Sequence, residues 1–206
     1  MKGILFKPDM IQAVVEGRKT QTRRVIKPQP ESKMTLARVL AGGRAVFDVD
    51  RGYDVKYFNP RYQVGETVYI KEAWRVLKEF DHLPPRDIPV DTPAIYPYGG
   101  DPEDDIRIPD CYGRLRSPLH LPEGIARHFI KIFHVRAERL QEIGQMDISR
   151  EGIILQKLKP DEDYYYHIQL NRNAFAELWN SINPKYPWES NPWVFLYEFV
   201  KESNGS

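Results

Sequence analysis

Gly17-Arg18-Lys19-Thr20-Gln21-Thr22-Arg23-Arg24-Val25-Ile26 is the stretch from which the rest of the chain is most easily read. Before it, Gly3 to Lys7 has the apolar content of a short strand, stopped by Pro8. Asp9 is placed to cap a helix over Met10 to Glu16, with Ile11, Val14 and Val15 on one face and Gly17 as its end. Lys19 to Ile26 then resumes as a strand rich in Thr and β-branched residues, closed by Pro28.

The same stretch holds the sharpest charge feature of the chain. Arg18, Lys19, Arg23, Arg24 and Lys27 lie within ten positions that contain no acid, whereas the whole protein has a net charge of only +1. A global field is excluded, so any nucleic-acid role must come from a local patch. Arginine forks suit phosphate; lysine supplies a point charge. Cations on a strand also serve to block edge pairing, so the run by itself leaves both roles open. Lys19 and Thr22 add chemistry. A threonine hydroxyl needs an adjacent base, and lysine becomes one only when burial or neighbouring cations lower its pKa. In a regular strand Thr20, Thr22 and Arg24 share one face and Lys19 takes the other. Lys19 therefore reaches Thr22 only from a bend, which Gly17 favours.

Further along, Ala45 to Asp50 and Val55 to Phe58 read as a hairpin around Arg51-Gly52-Tyr53-Asp54. Val64-Gly65-Glu66 reads as a turn before a strong strand, Thr67 to Val76. Phe80 to Tyr112 changes character: seven of the seventeen prolines lie there, with the acidic run Asp101 to Asp105, so an excursion from the core is expected and not a separate domain. Order returns with Ser117 to Leu121 and a long strand, Ala126 to Ala137. A turn over Leu140 to Ile143 leads to a short helix, Asp147 to Gly152, capped by Asp147 or Ser149. Asn171 is read as the cap of a helix through Ile182 with Phe175, Leu178 and Trp179 inward, and Trp193 to Lys201 as a closing strand. Strands interrupted by short helices, without regular strand–helix alternation, predict an α+β fold: one mixed β-barrel domain over residues 1–201 with peripheral helices, an insertion near 80–112 and a tail from 202.

Gly17 to Arg24 resembles the glycine–lysine–arginine signature of ASCH domains, in the Gly-Arg-Lys-Thr-x-Thr-x-Arg form of the N4-acetylcytidine amidohydrolases. Val64-Gly65-Glu66-Thr67-Val68-Tyr69-Ile70-Lys71-Glu72-Ala73-Trp74 is similar to the family's central strand. Val135 to Ile143, followed by Arg150-Glu151-Gly152-Ile153, resembles its next block. Trp179 to Asn183 with Asn191-Pro192-Trp193-Val194-Phe195 resembles the close of the larger, phage-type members. The resemblance implies a PUA-like barrel with a nucleotide-sized cleft. It implies Lys19 as general base, Thr22 as nucleophile, Glu151 as their acidic partner and Arg24 as a binding or orienting cation; Arg18 and Arg23, from the cation run, are further binding candidates. The activity it implies is hydrolysis of an N4-acylcytidine-type amide. A non-catalytic module for RNA or a modified base, or a ribonuclease, is the alternative.

Glu72 lies among large apolar residues, so a buried carboxylate there needs a cationic partner, with Arg24 or Arg23 the candidates. It is either a binding residue or half of a structural pair. Trp74 is either a stacking platform for a base, worth about 1–3 kcal/mol, or core packing. Glu151 is otherwise a charge beside a helix N-terminus. The histidines (His82, His120, His128, His134, His167) lack metal-ligand spacing, and the single Cys111 allows no internal disulfide. No P-loop or dinucleotide fingerprint is present, so neither metal nor cofactor is expected. The apolar run near the N-terminus is too short for a signal peptide or a membrane span, so no membrane partner and a cytoplasmic location are expected.

Overall fold

The computed structural model describes residues 1–49, 54–97, 108–155 and 164–202. In chain order the regular elements are β1 (Lys2–Leu5), α1 (Pro8–Val15), β2 (Gln21–Val25), β3 (Thr35–Val39), β4 (Ala45–Asp48), β5 (Val55–Phe58), β6 (Thr67–Lys71), β7 (Arg75–Val76), β8 (Ala94–Ile95), β9 (Phe129–Arg139), α2 (Gln145–Arg150), α3 (Tyr164–Ile182) and β10 (Trp193–Glu202). The fold is α+β. Hydrogen bonding orders five strands β1-β6-β9-β10-β2, three more as β3-β4-β5, and β7 with β8. No closed barrel is formed among the described residues: β1 and β2 stand at the two ends of the five-strand order. Among the described residues, no helix is long and apolar enough to cross a membrane.

The chain gathers into two compact units. One contains Met1–Gly17, Thr67–Lys131 and Val200–Ser206. In it β1 runs parallel to β6, with Ile4 opposite Ile70, and β6 runs antiparallel to the start of β9. Ile4, Val68, Ile70 and Ile130 are fully buried, which is what alternating apolar positions on such strands dictate. Helix α1 starts earlier than the sequence suggests. Pro8 occupies its first turn, where a missing N–H costs nothing, and Asp9 contributes charge there instead of a cap. Gly17 ends it at φ +77°, a backbone conformation that suits glycine.

The expected single strand from Thr67 to Val76 is broken. After β6 the chain turns so that Trp74 bridges Arg116 and β7 pairs with β8. The described part of the proline-rich segment packs around this point: Trp74, Val76, Ile88, Leu121 and Ile125 form one apolar cluster flanked by Phe80, Leu83 and Tyr96. The acidic run Asp101 to Asp105 lies outside the described residues.

The other unit contains Arg18–Glu66 and Ile132–Phe199. Here β2 and β10 pair antiparallel, placing Thr22 opposite Tyr197 and Arg24 opposite Phe195. Strands β4 and β5 form the expected hairpin pairing, with Asp48 opposite Val55; the turn residues 51–53 lie outside the described residues. Gly65 makes its turn at φ +87°. Leu140, Ile143, Ile148, Phe175, Trp179 and Val194 form the core beside α2 and α3.

Two helix starts differ from expectation. Gly144, not Asp147 or Ser149, is the N-cap of α2. Asn171 is interior to α3, buried, and its amide donates to Gln145 Oε1. A side chain whose hydrogen bonds are met by tertiary contact no longer competes for the backbone, so the cap signal fails there.

Candidate active site in the Arg18–Glu66 and Ile132–Phe199 unit

The bend predicted before the strand is present. Arg18 to Thr20 lie outside β2 and run antiparallel along the end of α2: Lys19 forms a bridge with Glu151, the Thr20 N–H donates to the Arg150 carbonyl at 2.8 Å, and Arg18 Nη1 donates to the Gly152 carbonyl at 3.1 Å. Glu151 is held by the close of α2. It is the C-cap, and Gly152 follows at φ +92°. A carboxylate at a helix C-terminus is disfavoured by the helix dipole, so cations must offset it. The helix-N-terminus role open to Glu151 from sequence therefore has no place here.

Those cations are Lys19 and Arg23. Lys19 Nζ donates to Glu151 Oε2 at 2.7 Å and to the Glu151 carbonyl at 2.8 Å. Lys19 is only 1% exposed and Glu151 5%, so bulk water does not screen the pair. Burial lowers the Lys19 pKa from its usual 10.5; Glu151 opposes that shift, while Arg24 and Arg23 assist it. Arg23 is equally enclosed. Its Nε donates to Glu138 at 2.7 Å, Nη1 to Glu151 at 3.0 Å and Nη2 to Asp147 at 3.0 Å. Glu138 and Asp147 are shared with Arg136. One guanidinium thus gathers carboxylates from β9 and α2.

The opposite face of β2 carries Thr22 and Arg24, alongside Phe195 and Tyr197 of β10. Thr22 is buried and Arg24 half-buried. Burial lowers the Arg24 pKa, with Tyr62, Glu151, Tyr197 and Arg61 as its electrostatic neighbours. No hydrogen bond between Lys19 Nζ and Thr22 Oγ1 is present among the described residues; the amine is held by Glu151.

Lys19, Thr22, Arg23, Arg24, Arg18 and Glu151 are thus built within one unit. Glu72 and Trp74 belong to the other. Glu72 was expected to meet Arg24 or Arg23. It instead accepts a two-pronged hydrogen bond from Arg127, at 3.1 and 3.0 Å. Arg127 is brought to Glu72 because it lies two residues before β9, the strand paired with β6. Trp74 has no exposed surface, and Arg116 stacks over its ring at 5.2 Å.

Sequence reasoning missed Glu138, Asp147, Arg61, Tyr62 and Tyr197. The acids carried a faint signal: β9 alternates, and Glu138 breaks into its buried Val135–Ala137 end. Comparison of the chain with protein-family models, curated proteins and solved structures returns no match.

Proposed function

We propose that this protein is an ASCH-type hydrolase of PUA-like fold that removes the acyl group from the exocyclic amine of a modified cytosine nucleoside. The observation that carries it is the buried Lys19–Glu151 pair three residues from Thr22, with the lysine's pKa lowered by burial. Burial disfavours the charged ammonium, so loss of its proton to solvent leaves a neutral amine beside the Glu151 carboxylate. That amine exchanges its hydrogen bond to Glu151 for one to Thr22 and takes the hydroxyl proton as the oxygen attacks the acyl carbon. Glu151 relays that proton from Lys19 to the departing N4, the C–N bond breaks, and cytidine leaves an acyl-threonine. Lys19, neutral again, takes a proton from water as it attacks the ester and returns it to Thr22 Oγ1 as acetate leaves. Arg23 keeps Glu151, Glu138 and Asp147 in register; Arg18 and Arg24 flank the bound ligand.

Capture of RNA or a modified base without chemistry is the second reading, favoured by the Lys19 amine lying on Glu151 and not on Thr22. Acetate release from N4-acetylcytidine across pH separates the two. The hydrolase shows kcat/KM rising with pH as the neutral amine forms, with a midpoint below 10.5. No release at any pH, with binding intact, decides for the binding module.

A further inference from the structure

From Lys19 outward, cations and carboxylates alternate in one continuous chain. Lys19 Nζ donates to Glu151 Oε2, and Glu151 Oε1 accepts from Arg23 Nη1. Arg23 reaches Glu138 Oε1 of β9 through Nε and Asp147 Oδ2 of α2 through Nη2. Arg136 meets the same two acids. Its Nε donates to Glu138 Oε2 at 2.7 Å, and its Nη2 donates at 3.3 Å to the Asp147 Oδ2 that Arg23 already uses. Further out is Glu198 of β10, whose Oε1 lies 3.8 Å from Arg136 Nη1 and accepts from Gln21 Nε2 at 2.8 Å. His134 Nδ1 is 3.2 Å from the other oxygen of Glu198. Exposure rises along the way: the Lys19 and Arg23 side chains have none, and that of Arg136 is 36% exposed. Glu138, Asp147 and Glu151 thus balance Lys19, Arg23 and Arg136 one for one, and of these three cations Arg136 alone reaches solvent. The chemistry proposed above gives it no part.

We infer that Arg136 is a positioning residue for that chemistry: by taking up Glu138 and Asp147 from outside, it leaves the third prong of Arg23 to Glu151, the carboxylate on which the Lys19 amine rests. The role rests on the reading of Lys19 as a base. Without Arg136, Glu138 and Asp147 draw Arg23 toward themselves and Glu151 is less fully neutralised. A more negative Glu151 favours the ammonium form of Lys19, and a retreating Arg23 stops opposing it. The charged groups acting on Lys19 are Glu151, Arg24 and Arg23; those facing Arg136 are Glu138, Asp147 and Glu198, the last shared with His134. Loss of the outer guanidinium therefore makes Lys19 hold its proton to higher pH. Loss of the outer carboxylate, Glu198, works in the opposite sense, because it removes negative charge and leaves Arg136 wholly to Glu138 and Asp147.

The test follows Lys19 in two ways between about pH 5 and about pH 11. One is the Cε chemical shift of Lys19 in lysine-labelled protein without substrate, identified by its absence in Lys19→Arg. The other is kcat/KM for acetate release from N4-acetylcytidine. Arg136→Gln should raise the midpoint by about half a unit to one unit, so that kcat/KM below both midpoints falls about three- to tenfold and recovers as pH rises. The fall should be in kcat, with KM unchanged. Arg136→Lys keeps the charge and should stay near the wild-type midpoint, whereas Glu198→Gln should lower it. A merely structural role would reduce Tm and leave every midpoint in place. An unmoved midpoint in folded Arg136→Gln, or shifts of the same sign in Arg136→Gln and Glu198→Gln, overturns the inference. Should Arg136→Gln fail to fold, a midpoint in Glu198→Gln equal to wild type overturns it alone. Midpoints that move as stated without acetate release by wild type overturn the hydrolase and not the role of Arg136. Acetate release with midpoints unmoved overturns the role of Arg136 and not the hydrolase.

Discussion

Thr22→Ala should reduce acetate release from N4-acetylcytidine by about a thousandfold or more, Lys19→Ala should do the same, and the double variant should be no worse than either. The near-identity of the three losses matters more than their size. A nucleophile without its base and a base without its nucleophile leave the same residual catalysis, so free energies that belong to one unit do not add. Thr22 and Lys19 are reached from different backbone: Thr22 from β2, Lys19 from the bend that bridges Glu151. Were they independent contributors to binding, the double variant would show the product of the two single losses. Initial rates at saturating and limiting substrate for the three variants decide between these outcomes.

The second large effect is on stability. Arg23→Gln removes a side chain that donates to Glu138, Asp147 and Glu151 together, and it is 4% exposed. Breaking a buried ion pair by deleting one partner leaves uncompensated charge, with a cost of about 3–5 kcal/mol. For a chain of this length that corresponds to a fall in Tm of roughly 10 °C or more. The comparison variant is Lys56→Gln, whose partner Glu31 is solvent-exposed on both sides of the pair. Water and salt screen such a contact, so Tm should be unchanged within error. Thermal melts of the two variants beside wild type check the contrast. Equal shifts would mean that the buried network is weaker than its geometry implies.

How much of this could be read from residues alone varies with the kind of inference. The pairing of β4 with β5 followed from two short strand-like runs flanking Arg51-Gly52-Tyr53-Asp54, and the glycine turns at Gly17 and Gly65 followed from local conformational preference. The bend that takes Lys19 out of the strand was legible because strand parity demanded it for any encounter with Thr22. What the sequence concealed was tertiary choice. Arg23 and Arg24 are adjacent and alike, yet the pleat sends one into three carboxylates and the other toward two tyrosines. Nothing local distinguishes them; the difference is set by whether Leu196 or Phe195 lies opposite. Glu72 and Arg127 are separated by dozens of positions, and their pairing depends on β6 meeting β9. The break after β6 was hidden because the residues following it, Trp74, Arg75 and Val76, are good strand formers that simply find a different partner in β8. Asn171 misled for a related reason, since its helix begins earlier and its amide is satisfied from α2.

The central claim is that Lys19 acts as a base held by Glu151, and not merely as a buried positive charge. Arginine at this position keeps the charge and can still donate to the Glu151 carboxylate, but a guanidinium does not give up its proton near neutral pH. The measurement is acetate release from N4-acetylcytidine by Lys19→Arg, on protein whose melt shows it folded, beside wild type. A folded Lys19→Arg with no detectable turnover against an active wild type is the predicted result; Lys19→Arg retaining turnover near the wild-type rate would contradict it.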